Sequence, residues 1–436
     1  MRNVPRLELN RSLLRDQQGI AEMVDGLGAA GMDICLRSAA ALAQMCRGII
    51  TGEGPTACGR VHFSRTIDRQ DAALCLRLLV VAGRYGDAVS RVEADALLDI
   101  HTIASDRQDY LIHSYDYPPL ARRALAAANK YAAIAPAAQH AQHMPAHTYS
   151  MLGLWAQSVE SNTKSREAAQ EQAARLWPGS THPGVPHHLD FTEYALLQMG
   201  QEQRAKQIRD DANSIKKLGF EYLPSYTGLA AVPARFALER QMWKEAAAFE
   251  PRGSQFPQAE AITYFARAMG SARSGDLAAA NQEVGKLKEL RAALEKASQS
   301  YWAEQVEIQM LAASAWIAQA KGQKDEAVKF MRAAADLEDN SEKHIAMENR
   351  LYPMRELLGD LLLEEQQPVQ ALSEYEISFQ STPNRLRGLY GAAKAAREAG
   401  QPEKAATYFR KLAELTKDSD SNRAEIREAK AFLMHL

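Results

Sequence analysis

Seven of the eleven histidines in this 436-residue chain fall between His113 and His188, and Asp109, Asp116 and Asp190 are interleaved with them. Neutral imidazole and carboxylate are the side chains that divalent zinc, manganese, nickel or iron accept as ligands. The spacing is regular. Asp109, His113 and Asp116 form one set, His140, His143 and His147 a second, and His187, Asp190 and Tyr194 a third. At 100° per residue each set falls within a wedge of about 60° on a helix, so each is a single stripe. His113, His140, His143, His147 and His187 are therefore the candidate metal ligands, with zinc the favoured divalent ion. Asp109, Asp116 and Asp190 are candidates to orient an imidazole or to act as general base toward a metal-activated water. Hydrolysis of an ester or phosphoester is the chemistry that such a set could perform.

Helices must position these stripes, and the chain repeats with a fixed period. In the segment RELLGDLLLEEQQPVQALSEYEISFQSTPN, Leu358-Gly359, Ala371, Tyr375 and Pro383 match positions 7, 8, 20, 24 and 32 of the 34-residue tetratricopeptide (TPR) pattern. A shift of 34 converts Ala371 to Ala405 and Tyr375 to Phe409, and His113 to His147. Each unit is two antiparallel helices, A and B, that cannot bury their apolar faces alone. Small residues at positions 8 and 20 let the helices approach, and proline ends helix B. Turns of the form G-x-x-x-x-A recur at Gly153–Ser158 (serine replacing alanine), Gly200–Ala205, Gly275–Ala280, Gly322–Ala327 and Gly400–Ala405. Gly83–Ala88 is a further copy and the sequence around Trp243 a degenerate one. The expected fold is an all-α, TPR-like α-solenoid: a right-handed superhelix of about nine hairpins. Residues DNSEKHIAMENR form an insertion of about ten residues.

In such a stack the A helices line the concave face, and neighbouring helices lie roughly 8–10 Å apart, so side chains on facing stripes can meet. Pro145 interrupts the second stripe. If a helix begins there, His140 and His143 precede it and the stripe argument covers only His147. Pro233 stands the same distance before Trp243 as Pro145 does before Trp155, with Arg235 where His147 would be. Tyr194 and Arg235 are thus candidate ligand contacts in the groove, and Tyr301 and Trp302 are exposed-aromatic candidates for the same role. The blocks YLIHSYDYPPLA (110–121), HMPAHTYSMLGLW (143–155) and THPGVPHH (181–188) resemble a bacterial family of TPR-repeat proteins, from about residue 108 to the C-terminus. Members carry His-Pro-Gly before the first block, where this chain has Ser105-Asp106-Arg107. The resemblance implies the fold and supplies no activity.

Composition narrows the alternatives. The formal charge is −2, which lacks the basic footprint of a nucleic-acid binder. No apolar run reaches the roughly 18–20 residues that span a bilayer, and the N-terminus lacks the apolar core of a secretory signal; a cytoplasmic location is the expectation. Cys35, Cys46, Cys58 and Cys75 contain no C-x-x-C pair and read as buried thiols. No lysine precedes Lys130 although fifteen arginines do, which suggests a seam. Residues 1–70 read as a divergent N-terminal helical segment and 71–436 as the repeat array. Gly54–Val61 lacks the Lys-Ser/Thr end of a phosphate loop, and the two S-x-x-K matches have no companion motifs.

Two functions follow. One is a scaffold that takes a peptide, protein or small ligand along the concave face, with the His/Asp set there either as a metal site or as polar groove contacts; this rests on analogy of fold. The other is a metal-dependent hydrolase with its site in the same groove.

Overall fold

The computed structural model describes residues 109, 111–341 and 349–435. The chain divides into two units, Met1–Tyr115 and Asp116–Leu436. The residue-70 boundary, the Gly83–Ala88 turn and the four cysteines lie outside the described residues. Seventeen helices and no strand occur among the described residues. No helix among them is long and apolar enough to cross a membrane.

The second unit opens with α1 (Ala121–Ile134), the B helix of the Ala124 repeat, and closes with a single helix, α17 (Ala424–Met434). Between them stand seven complete hairpins. The first has a split A helix, α2 (Gln139–His143) and α3 (Pro145–Met151), against α4 (Trp155–Leu176). Then come α5 (Val185–Gln198) with α6 (Glu202–Ser214), and α7 (Leu223–Glu239) with the short α8 (Trp243–Ala247). The series continues with α9 (Pro257–Arg273) and α10 (Leu277–Lys296), and α11 (Ser300–Ala320) and α12 (Lys324–Asn340). It ends with α13 (Met354–Glu364) and α14 (Pro368–Ser378), and α15 (Leu386–Glu398) and α16 (Pro402–Leu415). Each helix packs on its hairpin partner and on the next hairpin, which is the TPR-like α-solenoid.

A single local device makes all seven turns. The residue two before each B helix has positive φ: Gly153, Gly200, Gly275, Gly322 and Gly400, with Gln241 and Gln366 in the two degenerate copies. The next residue donates its N–H to the carbonyl five residues back, as in Leu154 to Tyr149 and Gln401 to Ala396. This is the left-handed cap that satisfies orphan carbonyls at a helix end. The small residues Ala371 and Ala405 are fully buried, and Gly359 lies against the Tyr375 ring, as the repeat pattern requires.

The first repeats of this unit also touch its last ones. Trp155 Nε1 donates to the Asn384 carbonyl at 2.7 Å, and the Leu386 N–H donates to Gln198 Oε1 at 3.1 Å. Asp420 accepts from the N–H groups of Glu202 and Gln203, capping α6 from more than 200 residues away in sequence. The insertion begins within α12, which runs to Asn340, and its last residues, Asn349 and Arg350, are buried against α7.

Candidate metal centre

His143 and His147 straddle Pro145. The proline breaks the helix assignment into α2 and α3, but Met144 between them keeps helical dihedrals (φ −53, ψ −36). The Met144 N–H still bonds the His140 carbonyl, and Pro145 takes the first position of α3, where its missing N–H costs nothing. The two imidazoles therefore stay one turn apart on one face, as the unbroken stripe requires. α5 packs beside them and presents His187 from its first turn. One nitrogen of each of His143, His147 and His187 lies within 4.8 Å of the others, and all three residues are buried.

Hydrogen bonds outside the cluster decide which nitrogens face inward. His143 Nδ1 meets Asn162 Oδ1 at 2.6 Å, and the Asn162 amide is oriented because its Nδ2 donates to the Ser158 carbonyl at 2.9 Å. His147 Nδ1 meets Asp116 Oδ2 at 3.1 Å. Both partners are acceptors, so both Nδ1 atoms carry the proton of the neutral ring, and both Nε2 atoms present lone pairs. Those Nε2 atoms are 2.9 Å apart. Two facing lone pairs at that distance repel unless a proton or a cation lies between or beside them. Nitrogens bound to one tetrahedral zinc at 2.0–2.1 Å would stand about 3.3 Å apart, close to this separation.

On His143 a proton is disfavoured. His143 is held well below the usual imidazole range by burial, then by the neighbouring His188, His147 and His187. His188 is lowered by burial and by His187, and His182 is lowered to about 4 by burial. The Phe191 ring sits 4.9–5.1 Å from the centroids of His143, His147 and His187. It forms a dry wall beside the nitrogens, the kind of shell that limits water at a metal.

The other sequence candidates have separate places. His140 is exposed on α2. Asp109 and His113 belong to the Met1–Tyr115 unit, where His113 Nε2 stands 4.0 Å from Asp109 Oδ2. Asp190 turns from the imidazoles to Arg235 Nη1 (2.6 Å) and Asn349 Nδ2 (3.2 Å). Arg235 is fully buried; it also donates to Glu193 and to the carbonyls of Asn349 and Arg350. Burial holds Glu193 well above the usual carboxylate range, against the pull of Arg235. The Tyr194 ring lies under the Arg235 and Arg385 guanidiniums at 4.9 and 5.2 Å. Tyr301 lines a cleft of about 520 Å³ with Phe265 and Gln309, whereas Trp302 is buried in the core.

Sequence reasoning missed Asn162, Phe191 and the buried His188. A signal existed for the first. Ser158, Ser161, Asn162 and Ser165 are spaced i, i+3, i+4, i+7 on α4 and all are buried, a polar stripe where a B helix would ordinarily present apolar residues. Ser165 lies 3.3 Å from His188, and Ser161 and Ser165 donate to the carbonyls of Gln142 and Gln139, pinning α4 to α2. A cleft of about 350 Å³ opens along the same face, lined by Ser150 and Met151, one turn beyond His147, and by Tyr194, two turns beyond His187.

No protein-family model and no curated protein matches the chain. Among solved structures, it is similar to a tetratricopeptide repeat protein from Parabacteroides merdae ATCC 43184, at 14% identity and TM-score 0.34 over 68% of this chain and 98% of that one. It is also similar to the APC/C hetero-tetramer Cut9–Hcn1, at 11% identity and TM-score 0.26 over 83% and 76%. The third is yeast Tom70, at 12% identity and TM-score 0.27 over 76% and 89%. The assignment as a TPR-like solenoid rests on the chain's own seven capped hairpins.

Proposed function

We propose that this protein is a TPR-like scaffold that holds a divalent metal, zinc by preference, on His143, His147 and His187, and presents its concave face to a peptide, protein or small ligand. The observation that carries the metal is the pair of Nε2 lone pairs 2.9 Å apart, with both Nδ1 atoms committed to outside acceptors. Asp116 and Asn162 are positioning residues in this reading. A carboxylate behind a ligating imidazole fixes its tautomer and raises its basicity. The metal would join α2–α3 to α5, and so hold together the face from which Ser150 and Tyr194 point into the cleft.

The test is elemental analysis of protein purified without chelator, followed by zinc titration of chelator-treated protein. One zinc per chain, lost in the His147→Ala variant and retained in His435→Ala, is the expected result. Protein that contains no metal and takes none up would end the proposal.

One observation favours a second reading, a metal-dependent hydrolase. Three nitrogens leave one position of a tetrahedral ion for water or substrate, and a shallow cleft opens beside them. Asp190 is committed to Arg235 and Asn349, so the general base would have to be another group. Chelator-sensitive hydrolysis of p-nitrophenyl acetate or phosphate, lost in His147→Ala, would support this reading; its absence in zinc-loaded protein would leave the scaffold alone.

A further inference from the structure

The linker between α14 and α15 is a tight turn, with Asn384 left-handed (φ 55) and Arg385 extended ahead of α15, and the early repeats hold it by its main chain. Trp155 Nε1 holds the Asn384 carbonyl at 2.7 Å, and Gln198 Oε1 accepts the Leu386 N–H at 3.1 Å. Gln198 is itself aimed by its bond to Glu239. A Cβ on Gly153 would stand 2.7 Å from the Pro383 carbonyl, so only glycine lets the linker approach this closely. Between the two main-chain bonds the Arg385 side chain is fully buried. It donates to Glu239 of α7 and, at 2.8 Å, to Glu356 of α13, and lies over the Tyr194 ring. Main-chain bonds that give affinity and one side chain in a dedicated pocket that gives specificity are the elements by which a short peptide segment is recognised. A planar guanidinium between carboxylates and an aromatic face is the pocket chemistry that selects arginine over lysine.

We propose that the face formed by Trp155, Tyr194, Gln198 and Glu239 is a recognition surface for an arginine-bearing turn of the type Asn-Arg-Leu in a partner peptide, occupied in cis by residues 383–386. The proposal rests on the scaffold part of the reading above, names its partner class, and does not depend on the metal. A partner that carries such a segment binds by displacing the internal copy. That copy acts as an intramolecular competitor, held in place by the helices on either side of it.

The probe is a fluorescein-labelled peptide STPNRLRG, titrated in chelator and again in zinc, so that failure of the metal reading leaves this result legible. The full-length Arg385→Ala variant, in which the anchor of the competitor is removed, should bind it saturably, whereas the wild-type chain should not at micromolar concentrations. The peptide STPNALRG should bind that variant at least about 30-fold more weakly, the scale of a buried arginine hot spot. Adding Glu239→Gln should weaken STPNRLRG similarly. Arg385→Met, which keeps the apolar stem, replaces Arg385→Ala if the latter does not melt cooperatively. If neither folds, about 5 mM unlabelled STPNRLRG added to the wild-type chain should raise deuterium uptake across residues 380–390, since a bound probe displaces that turn. Equal binding of the two peptides, no binding to a folded variant, or, where no variant folds, unchanged uptake would overturn the proposal.

Discussion

His143 and His147 point their Nε2 atoms at each other across 2.9 Å, each ring held from behind through Nδ1 by a different element, Asn162 of α4 and Asp116 ahead of α1. Both rings are aimed by groups of the chain itself, and the first prediction follows from that. Zinc at 100 times its dissociation constant should stabilise the chain by about 2.7 kcal/mol. His147→Ala should remove the response, read as the zinc-dependent shift of the thermal midpoint. An equal shift in wild type and variant would mean that zinc binds elsewhere.

The positioning residues should behave differently from the ligands. Asp116→Asn offers His147 an amide that can donate as well as accept, so the tautomer is no longer fixed. Asn162→Leu leaves His143 Nδ1 without its acceptor. Each change should weaken zinc binding by about 10–100-fold without abolishing it, the usual effect of losing such a partner. A competition titration with a chromogenic chelator measures this, and affinities unchanged in both variants would contradict the assigned tautomers.

Glu356 gives a pH prediction. Burial raises its carboxyl from the usual 4.5 to about 7, although Arg385 pulls the other way. The folded state therefore binds a proton that the unfolded state has released between those values, and stability attributable to this group falls as pH rises from 4.5 through 7. The buried histidines work in the opposite sense. His182, lowered to about 4, takes up its proton on unfolding, so its contribution is lost as pH falls below 6.5. Comparing wild type with Glu356→Gln cancels the histidines. Between pH 5 and 8 the wild type should lose on the order of 1–3 kcal/mol relative to the variant in urea-unfolding free energy; parallel profiles would refute the assignment.

Gly153 and Gly275 share a left-handed backbone, φ +65 and +87, but not surroundings. Alanine at either position carries the backbone strain of about 1–2 kcal/mol. Only at Gly153 does the new Cβ also meet the Pro383 carbonyl, at 2.7 Å, and the Asn384 side chain. Gly153→Ala should therefore cost at least about 1 kcal/mol more than Gly275→Ala, the low end of overpacking costs. Equal costs by chemical denaturation would show that the linker is not docked there in solution.

The repeat register is checked at Ala371 and Ala405, both fully buried where B helices cross A helices. Leucine at either should cost about 1–3 kcal/mol through overpacking. Unchanged melting of both variants would place the register elsewhere.

The hairpins were legible in the sequence because they are local. A left-handed glycine, a small residue five positions on and a bulky one after it specify a turn and a helix crossing with no help from distant chain, and each glycine of that pattern among the described residues lies at its cap. The two glutamines at Gln241 and Gln366 adopt the same conformation against their intrinsic preference, since packing of the hairpin outweighs the cost of one strained residue. Stripe periodicity likewise paired His143 with His147, because helix geometry alone places i and i+4 together, whereas His187 joins them only through the packing of α5. What surrounds them was not legible. Asn162 faces His143 from a B helix, and Asp116 reaches His147 from a segment 31 residues upstream. Both contacts depend on how the helices pack. The groove was less legible still. Arg235 and Tyr194 read as ligand contacts, yet Arg235 is saturated by Asp190, Glu193 and two carbonyls, and Tyr194 is covered by Arg385 from the far end of the array. Nothing in a 34-residue period says which repeat a distant linker will meet, because that depends on small rotations summed over many hairpins. Tertiary structure decided that the linker ahead of α15 packs on Trp155 and Gln198 of the early repeats.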